Sequence, residues 1–510
     1  MTSVVAIDAG TTGVRSLAVD PSGAVTDIAY RELTQHFPRP GWVEHDPEEI
    51  WAHVRATLEE VAGRLAERGQ VVAAVGITNQ RETVVAWDRR TGRPLHRAIV
   101  WQDRRTARHC ADLAGAGHLP RVRARTGLVL DPYFSATKMR WMLEEGGVDG
   151  ASGDLVLATV DSWILWRLTG GPGRGVLATD PTNASRTLLY DIVEHRWSAE
   201  LCDLFGVPAG ALVEVRPSCG DFGRVDGGAL GTAARELAEL PVAGVAGDQQ
   251  AALFGQACFE PGMAKVTYGT GSFVLANAGA TCPEPAEGLL TTVAWDLGDH
   301  GGPAGRHAYA LEGSTFVSGA AIQWLRDGLG LIASAEEIGP LAASVPDSGG
   351  LTVVPAFAGL GSPWWDPHAR GVITGITRGA GRAHMARAVV EALAFQVRDM
   401  VDAMDRATGR PVSSLRVDGG AAALDLLLQL QADQLQVPVA RPKVIESTAL
   451  GAAGLAGLAV GVWASLDELA GLWREDLRCQ PELDAVWADA LHAAWARAVE
   501  RSGGWAEADG

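Results

Sequence analysis

The sequence predicts an α/β protein of two large, related domains facing one another across a cleft, and three observations carry that expectation. At 510 residues the chain exceeds what one hydrophobic core organises. Apolar runs of strand character alternate throughout with segments of helical periodicity, as layered α/β architecture requires. Two hairpin-like segments of the same chemistry, each a strand, a turn of glycines and hydroxyls and a second strand, begin near residues 4 and 264, so the halves read as variations on one plan.

The first hairpin runs through residues 4–7, turns at Asp8-Ala9-Gly10-Thr11-Thr12-Gly13 and returns through 14–19. β-Branched residues favour its strands and small residues its turn. Residues 48–66 place Ile50, Trp51, Val54, Leu58, Val61 and Leu65 at helical spacing behind the start signal Asp46-Pro47. Strands are expected at 71–78 and 83–87, separated by the polar insert Asn79-Gln80-Arg81-Glu82. An apolar run at 242–247 ends at Asp248-Gln249-Gln250, and 251–256 reads as helix. The Cys258-Phe259-Glu260-Pro261-Gly262 segment is expected to mark the boundary between domains 1–257 and 258–510. Beyond it, 264–268 leads through Gly269-Thr270-Gly271-Ser272 into a strand at 273–275, and 415–417 enters Asp418-Gly419-Gly420-Ala421 before a helix over 424–435. Residues 447–466 carry no formal charge, but Gly451, Gly454, Gly457 and Gly461 keep them weakly hydrophobic, and Glu446, Asp467 and Glu468 flank them. A buried helix packed closely against a neighbour is expected there, not a membrane span.

Composition narrows function by exclusion. With 43 Lys and Arg against 61 Asp and Glu the net charge is −18, a field that repels nucleic acid and acidic membrane surfaces. An anionic ligand would need local help from magnesium, individual arginines, backbone N–H groups or helix N-termini. The six cysteines show no C-x-x-C pair or metal-ligand rhythm, which fits a reducing, cytoplasmic setting without disulfides or structural zinc. The N-terminus enters its first strand without a basic or long apolar leader, so export is not expected. The three lysines, Lys138, Lys265 and Lys443, never follow glycine, so there is no Walker A loop, and neither H-E-x-x-H nor G-x-G-x-x-G occurs. Bound phosphate would have to use the hairpin turns.

Those turns offer suitable chemistry, each with an ordinary alternative. Around Asp8, glycines let backbone N–H groups approach phosphate oxygens, Thr11 and Thr12 can donate hydroxyls, and the strand-end carboxylate can hold hydrated magnesium. A glycine-rich turn with Asp8 as capping acceptor fits equally well. Gly269-Thr270-Gly271-Ser272 carries the same ambiguity, although two such loops favour a shared triphosphate. Asp418-Gly419-Gly420 suits a nucleotide at a helix N-terminus or a tight structural turn. Asp248 is placed to accept a proton from a substrate hydroxyl while Gln249 orients a polyol, yet helix capping is the commoner use of such an aspartate. Arg81-Glu82 can donate to and accept from a diol, or form a surface ion pair. Trp101, Tyr133 and Phe273 read by themselves as core aromatics.

Taken in order, seven blocks resemble the glycerol-phosphorylating members of the FGGY family of carbohydrate kinases: PGWVEHDP (40–47), GITNQRET (76–83), TGL with DPYFS (126–128, 131–135), TNASRT (182–187), AGDQQAALFG (246–255), TYGTG (267–271) and RVDGGA (416–421). The likeness spans nearly the whole chain. It implies two ribonuclease-H-like domains of the actin and sugar kinase type flanking a deep cleft, with the polyol and phosphate side in 1–257 and the nucleotide side in 258–510. It implies transfer of a phosphoryl group from Mg-ATP to glycerol, giving sn-glycerol 3-phosphate as the entry step of glycerol catabolism. Another small polyol or a ketopentose is the alternative substrate. By the same correspondence Arg81, Glu82, Tyr133, Asp248 and Gln249 hold glycerol, with its carbons against Trp101 and Phe273. Asp248 is then the general base and Asp8 supports Mg2+. Thr11, Thr12, Gly13, Arg15, Gly269, Thr270, Gly319 and Gln323 meet phosphates or nearby nucleotide, and Gly420 and Leu424 the adenosine end. A cytoplasmic homo-oligomer, dimer or tetramer, is also implied. Two positions depart from the family pattern, Ala9 where glutamine is usual and Leu424 where asparagine is usual; both bear on nucleotide affinity or choice and neither touches the polyol residues.

Overall fold

Val4, Val5, Ala6 and Ile7 have no exposed surface, because strand β1 (Thr2–Ala9) lies at the centre of its sheet and is covered on both faces. A computed structural model describes residues 2–301 and 306–506. In its first half, β2 (Gly13–Val19) and β3 (Val25–Glu32) extend the sheet antiparallel on one side of β1, and β4 (Val71–Asn79) and β5 (Val242–Gly247) extend it parallel on the other. The strand order is β5-β4-β1-β2-β3. Helix α1 (Pro47–Glu67) packs on this sheet and buries the apolar positions that its periodicity predicts. The carboxylate of Asp46 accepts the Glu48 amide at 2.9 Å and Pro47 opens the helix.

The second half contains β6 (Met263–Tyr268), β7 (Ser272–Gly279), β8 (Leu290–Asp296), β9 (His307–Thr315), β10 (Ser414–Asp418), β11 (Val439–Pro442) and β12 (Glu475–Cys479), in the order β8-β9-β7-β6-β10-β11-β12. Its five central strands, β9-β7-β6-β10-β11, repeat the first sheet: a first strand with an antiparallel pair on one side and a parallel pair on the other. The duplicated ribonuclease-H-like plan is therefore present in the molecule, as the two hairpins suggested.

A helix late in the chain ties the halves together. Helix α2 (Asp248–Gly255) follows β5, helix α3 (Arg382–Thr408) packs on the second sheet, and α4 (Ser447–Ala459), although late in the chain, lies on the first sheet and against α2. The crossing depends on glycine. A Cβ on Gly76 would stand 2.3 Å from the Ala452 carbonyl oxygen, and one on Gly451 only 1.8 Å from that of Ala251. The uncharged segment at 447–466 is thus a closely packed interior helix that ends earlier than predicted, at Ala459, with a separate short helix at Leu466–Leu472. Among the described residues no helix is long and apolar enough to cross a membrane. The helix predicted from 251 begins instead at Asp248, and the strand predicted over 273–275 extends across Ser272–Gly279. An accessory sheet in the first half, with strands Glu44–His45, Ala98–Ile99, Val84–Asp88 and Leu155–Thr159, receives the chain immediately after the polar insert at 79–82.

Candidate active site

Between β4 and the accessory strand Val84–Asp88 the backbone makes a tight reversal, and Glu82 adopts φ 61°, a left-handed conformation rare outside glycine. The Thr83 amide donates to the Arg81 carbonyl at 2.7 Å, and Ser135 Oγ donates to that of Glu82 at 3.0 Å. This reversal turns both side chains inward. Arg81 is 2% exposed and Glu82 1% exposed, which rules out the surface ion pair.

Arg81 is held from several directions. Nη1 donates to Gln250 Oε1 at 3.1 Å and Glu312 Oε2 at 2.5 Å, while Nη2 donates to Glu312 Oε1 and to the Tyr133 hydroxyl, each at 3.2 Å. Its remaining edge faces Asp248 Oδ1 at 3.3 Å and Glu82 Oε1 at 3.8 Å from Nε. Arg186, fully buried, donates from Nε to Glu82 Oε1 and from Nη2 to Glu312 Oε1, both at 2.7 Å. Two cations and two anions are thereby buried together, with Asp248 at the open side, and the mutual pairing offsets their desolvation.

Asp248 is the first residue of α2. Gly247 occupies the cap position, so the helix-capping reading of Asp248 does not hold; its carboxylate accepts the Gln249 amide at 2.7 Å. The Asp248 side chain keeps 27% of its surface open. The enclosing walls raise its pKa, although Arg81 and Lys265 oppose the rise. Lys265 Nζ donates to Gln249 Oε1 and, at 2.8 Å, to Thr267 Oγ1. Burial pushes this lysine down to about 8 against the pull of Asp418 and Asp248.

Aromatic rings from both halves wall the cluster. Trp101 meets Tyr133 edge-on at 5.5 Å and 71°, and Phe273 of β7 at 6.3 Å and 78°. Trp101 Nε1 also donates to Thr11 Oγ1 at 2.9 Å, linking this wall to the first glycine-threonine turn.

At the end of β1, Asp8 lies 3.5 Å from Arg15 Nε, and Arg15 also pairs with Glu446 just before α4. Burial raises Asp8 to about 7 despite Arg15, with Asp248 and Glu446 adding to the rise. Thr12 accepts at its carbonyl from the Tyr30 hydroxyl at 3.2 Å, and Gly13 lies so close to that ring that a Cβ would be 2.3 Å from its oxygen. The second turn mirrors the first: Gly10 N donates to Gly13 O at 3.0 Å, and Gly269 N to Gly271 O at 2.8 Å. The amide of Gly319 donates to the Gly269 carbonyl at 3.0 Å and that of Ser318 to the Thr270 carbonyl at 2.7 Å, which seats the short helix Gly319–Gln323 against this turn. Gln323 is exposed on that helix. Gly419, at φ 85°, brings the third turn to within 2.4 Å of Tyr268 O for any added Cβ, and Gly420 follows it, exposed. Leu424 packs at the edge of the second half's core, ahead of the helix Asp425–Leu435. Asp418 accepts from Gln256 Nε2 at 2.9 Å and from the hydroxyl of Ser447, at the start of α4 beside Glu446. Among the described residues no hydrogen bond or ion pair joins Gln323, Gly420 or Leu424 to the Arg81 cluster.

The sequence alone does not single out Arg186, Glu312 and Lys265 as site residues. Arg186 lies inside the TNASRT block, Glu312 is a lone carboxylate amid buried Ala308, Ala310 and Leu311, and Lys265 is one of only three lysines and falls in an apolar strand. A charge placed inside an otherwise apolar strand was the available signal.

Family models cover both halves: the N-terminal domain of the FGGY family of carbohydrate kinases matches residues 3–255, and its C-terminal domain matches 264–460. The chain belongs to the FGGY family of carbohydrate kinases. FGGY relatives include proteins named glycerol kinase from Dechloromonas aromatica, 52% identical over 99% of this chain and 98% of the relative, and from Symbiobacterium thermophilum, 51% identical over 99% of each. Among solved structures, Plasmodium falciparum glycerol kinase with ADP is 34% identical, with TM-score 0.92 over 98% of both chains. A xylulose kinase from Rhodospirillum rubrum is 26% identical, with TM-score 0.83 over 97% of this chain and 98% of that one. In this FGGY chain the Arg81 cluster and the three turns lie where the two duplicated sheets approach each other.

Proposed function

We propose that the protein transfers the terminal phosphoryl group of ATP to a primary hydroxyl of glycerol, giving sn-glycerol 3-phosphate. The observation that carries the proposal is the Asp248 carboxylate, partly open and 3.3 Å from Arg81, whose Nη2 donates to the Tyr133 hydroxyl in an aromatic wall with Trp101 and Phe273. Glycerol, three hydroxyls on a short carbon chain, needs converging donors and acceptors with flat apolar walls. Arg81 supplies a donor edge, Gln249 an amide, and Glu82 its second oxygen, since Oε1 is engaged by Arg186. Asp248 takes the proton of the attacking hydroxyl as its oxygen bonds to the γ-phosphorus and the bond from that phosphorus to the ADP oxygen breaks. A carboxylate with a raised pKa is suited to receive that proton.

The turns containing Thr11, Thr12 and Gly13, and Gly269 and Thr270, supply backbone and hydroxyl donors for the phosphates. Arg15, Gly319 and Gln323 stand beside these turns, with Gly420 and Leu424 toward the adenosine. Asp8, a buried carboxylate at the end of β1 beside the first turn, would hold a magnesium ion. Bound there, the ion supplies neutralisation of phosphate charge. We further propose a cytoplasmic homo-oligomer, dimer or tetramer; all six cysteines are free thiols, in keeping with a reducing compartment.

The proposal is tested by a coupled ADP-release assay over glycerol, erythritol and xylulose. Glycerol is expected to give the highest kcat/KM. Turnover of xylulose without turnover of glycerol would move the assignment to a ketopentose.

A further inference from the structure

Glu312 is the one carboxylate in β9, paired in its sheet with Leu275 and Leu290, and it has no exposed surface. It belongs to the second half, yet its charged partners, Arg81 and Arg186, belong to the first. The Arg81 contact is two-pronged, Nη1 to Oε2 at 2.5 Å and Nη2 to Oε1 at 3.2 Å, the planar fork that fixes a guanidinium in orientation as well as position. Burial works to raise the Glu312 pKa, but Arg186 and Arg81 together hold it below the ordinary carboxylate value, so it is a resident anion.

The orientation of Arg81 decides what remains at its other edge. With both Nη atoms committed to Glu312, only Nε is left toward Asp248 and Glu82, at 3.3 and 3.8 Å. Deprived of that partner, a buried guanidinium would turn its fork to the next available carboxylate, and Asp248 is the nearest. The proposed base would then be tied up, and the donor edge lost to the polyol.

We propose that Glu312 is a positioning residue that reaches across from the second half to hold Arg81 in its polyol-receiving orientation and keep its two-pronged Nη fork off Asp248. The inference rests on the reading of Arg81 as a polyol ligand and adds that polyol affinity depends on contact between the two halves.

The test is a double-mutant cycle of Glu312→Gln and Arg81→Ala, with steady-state kinetics in glycerol and ATP and thermal denaturation of each variant. Glu312→Gln is expected to raise the glycerol KM at least about tenfold, with a smaller fall in kcat and the ATP KM within about twofold of wild type. In the Arg81→Ala background the same change is expected to add less than about twofold, because its route to the substrate has gone. A merely structural Glu312 would lower the melting temperature and multiply its kinetic effect in both backgrounds, and that overturns the proposal. If Glu312→Gln does not fold, Glu312→Asp keeps the charge on a shorter arm: a raised glycerol KM supports the positioning role, and an unchanged one refutes it. Should the wild type use xylulose and not glycerol, the substrate assignment fails separately and the cycle is read with xylulose.

Discussion

A carboxylate must be ionised to take a proton, and the surroundings of Asp248 work against ionisation. Burial and Glu312 raise its pKa, Arg81 and Lys265 pull it back, and the net direction is upward; Asp8 is coupled to it across the cleft. As pH falls through that raised value the proposed base is protonated and activity is lost, so kcat/KM for glycerol should decline on the acid side at a higher pH than an exposed aspartate would give. A pH–rate profile checks this. Asp248→Asn is expected to fold normally and lose about two to four decades of kcat, equivalent to roughly 3–5 kcal/mol of barrier, and near-normal turnover would remove Asp248 from the base role. Arg81→Ala should act mainly on the glycerol KM, read from the same assay. At this scale the sequence made legible the residues whose neighbours form compact blocks, such as Arg81-Glu82 and Asp248-Gln249. It left Glu312 unread because its meaning lies in Arg81, 231 positions away, and in Arg186, 126 positions away. A pairing of that kind exists only after two sheets have met.

At the scale of elements, periodicity located most helices and strands, and local backbone chemistry explains the differences. The uncharged stretch over 447–466 predicts one buried helix, but the helix stops at Ala459, where Gly461 at φ 74° turns the chain and the Val462 amide closes on the Gly457 carbonyl at 2.8 Å. The same glycine-rich composition that weakened a membrane reading is what lets α4 lie against α2. Gly451→Ala would set a methyl against the Ala251 carbonyl, at 1.8 Å before relaxation. It is expected to destabilise the protein by about 1–3 kcal/mol, measurable by chemical denaturation, and a neutral result would mean that the helices can part without cost.

Across the whole molecule, the duplicated strand order puts equivalent hairpin turns on facing sheets, and cross-half contacts draw them together: Arg15 with Glu446, Trp101 with Phe273, Arg81 with Glu312. The two hairpins announced this duplication in the sequence. The crossing of α4 onto the first sheet was not legible there, since nothing local records which sheet a helix will cover. A cleft whose walls share a substrate should close on it. Small-angle X-ray scattering is expected to give a smaller radius of gyration with glycerol and a non-hydrolysable ATP analogue than without them.

The most direct measurement is a crystal structure with glycerol and that analogue bound together. A terminal hydroxyl of glycerol is expected within about 3 Å of an Asp248 carboxylate oxygen and in line with the γ-phosphate, with Arg81 still forked to Glu312. Glycerol bound elsewhere, or Asp248 turned away from the reacting hydroxyl, would contradict the account.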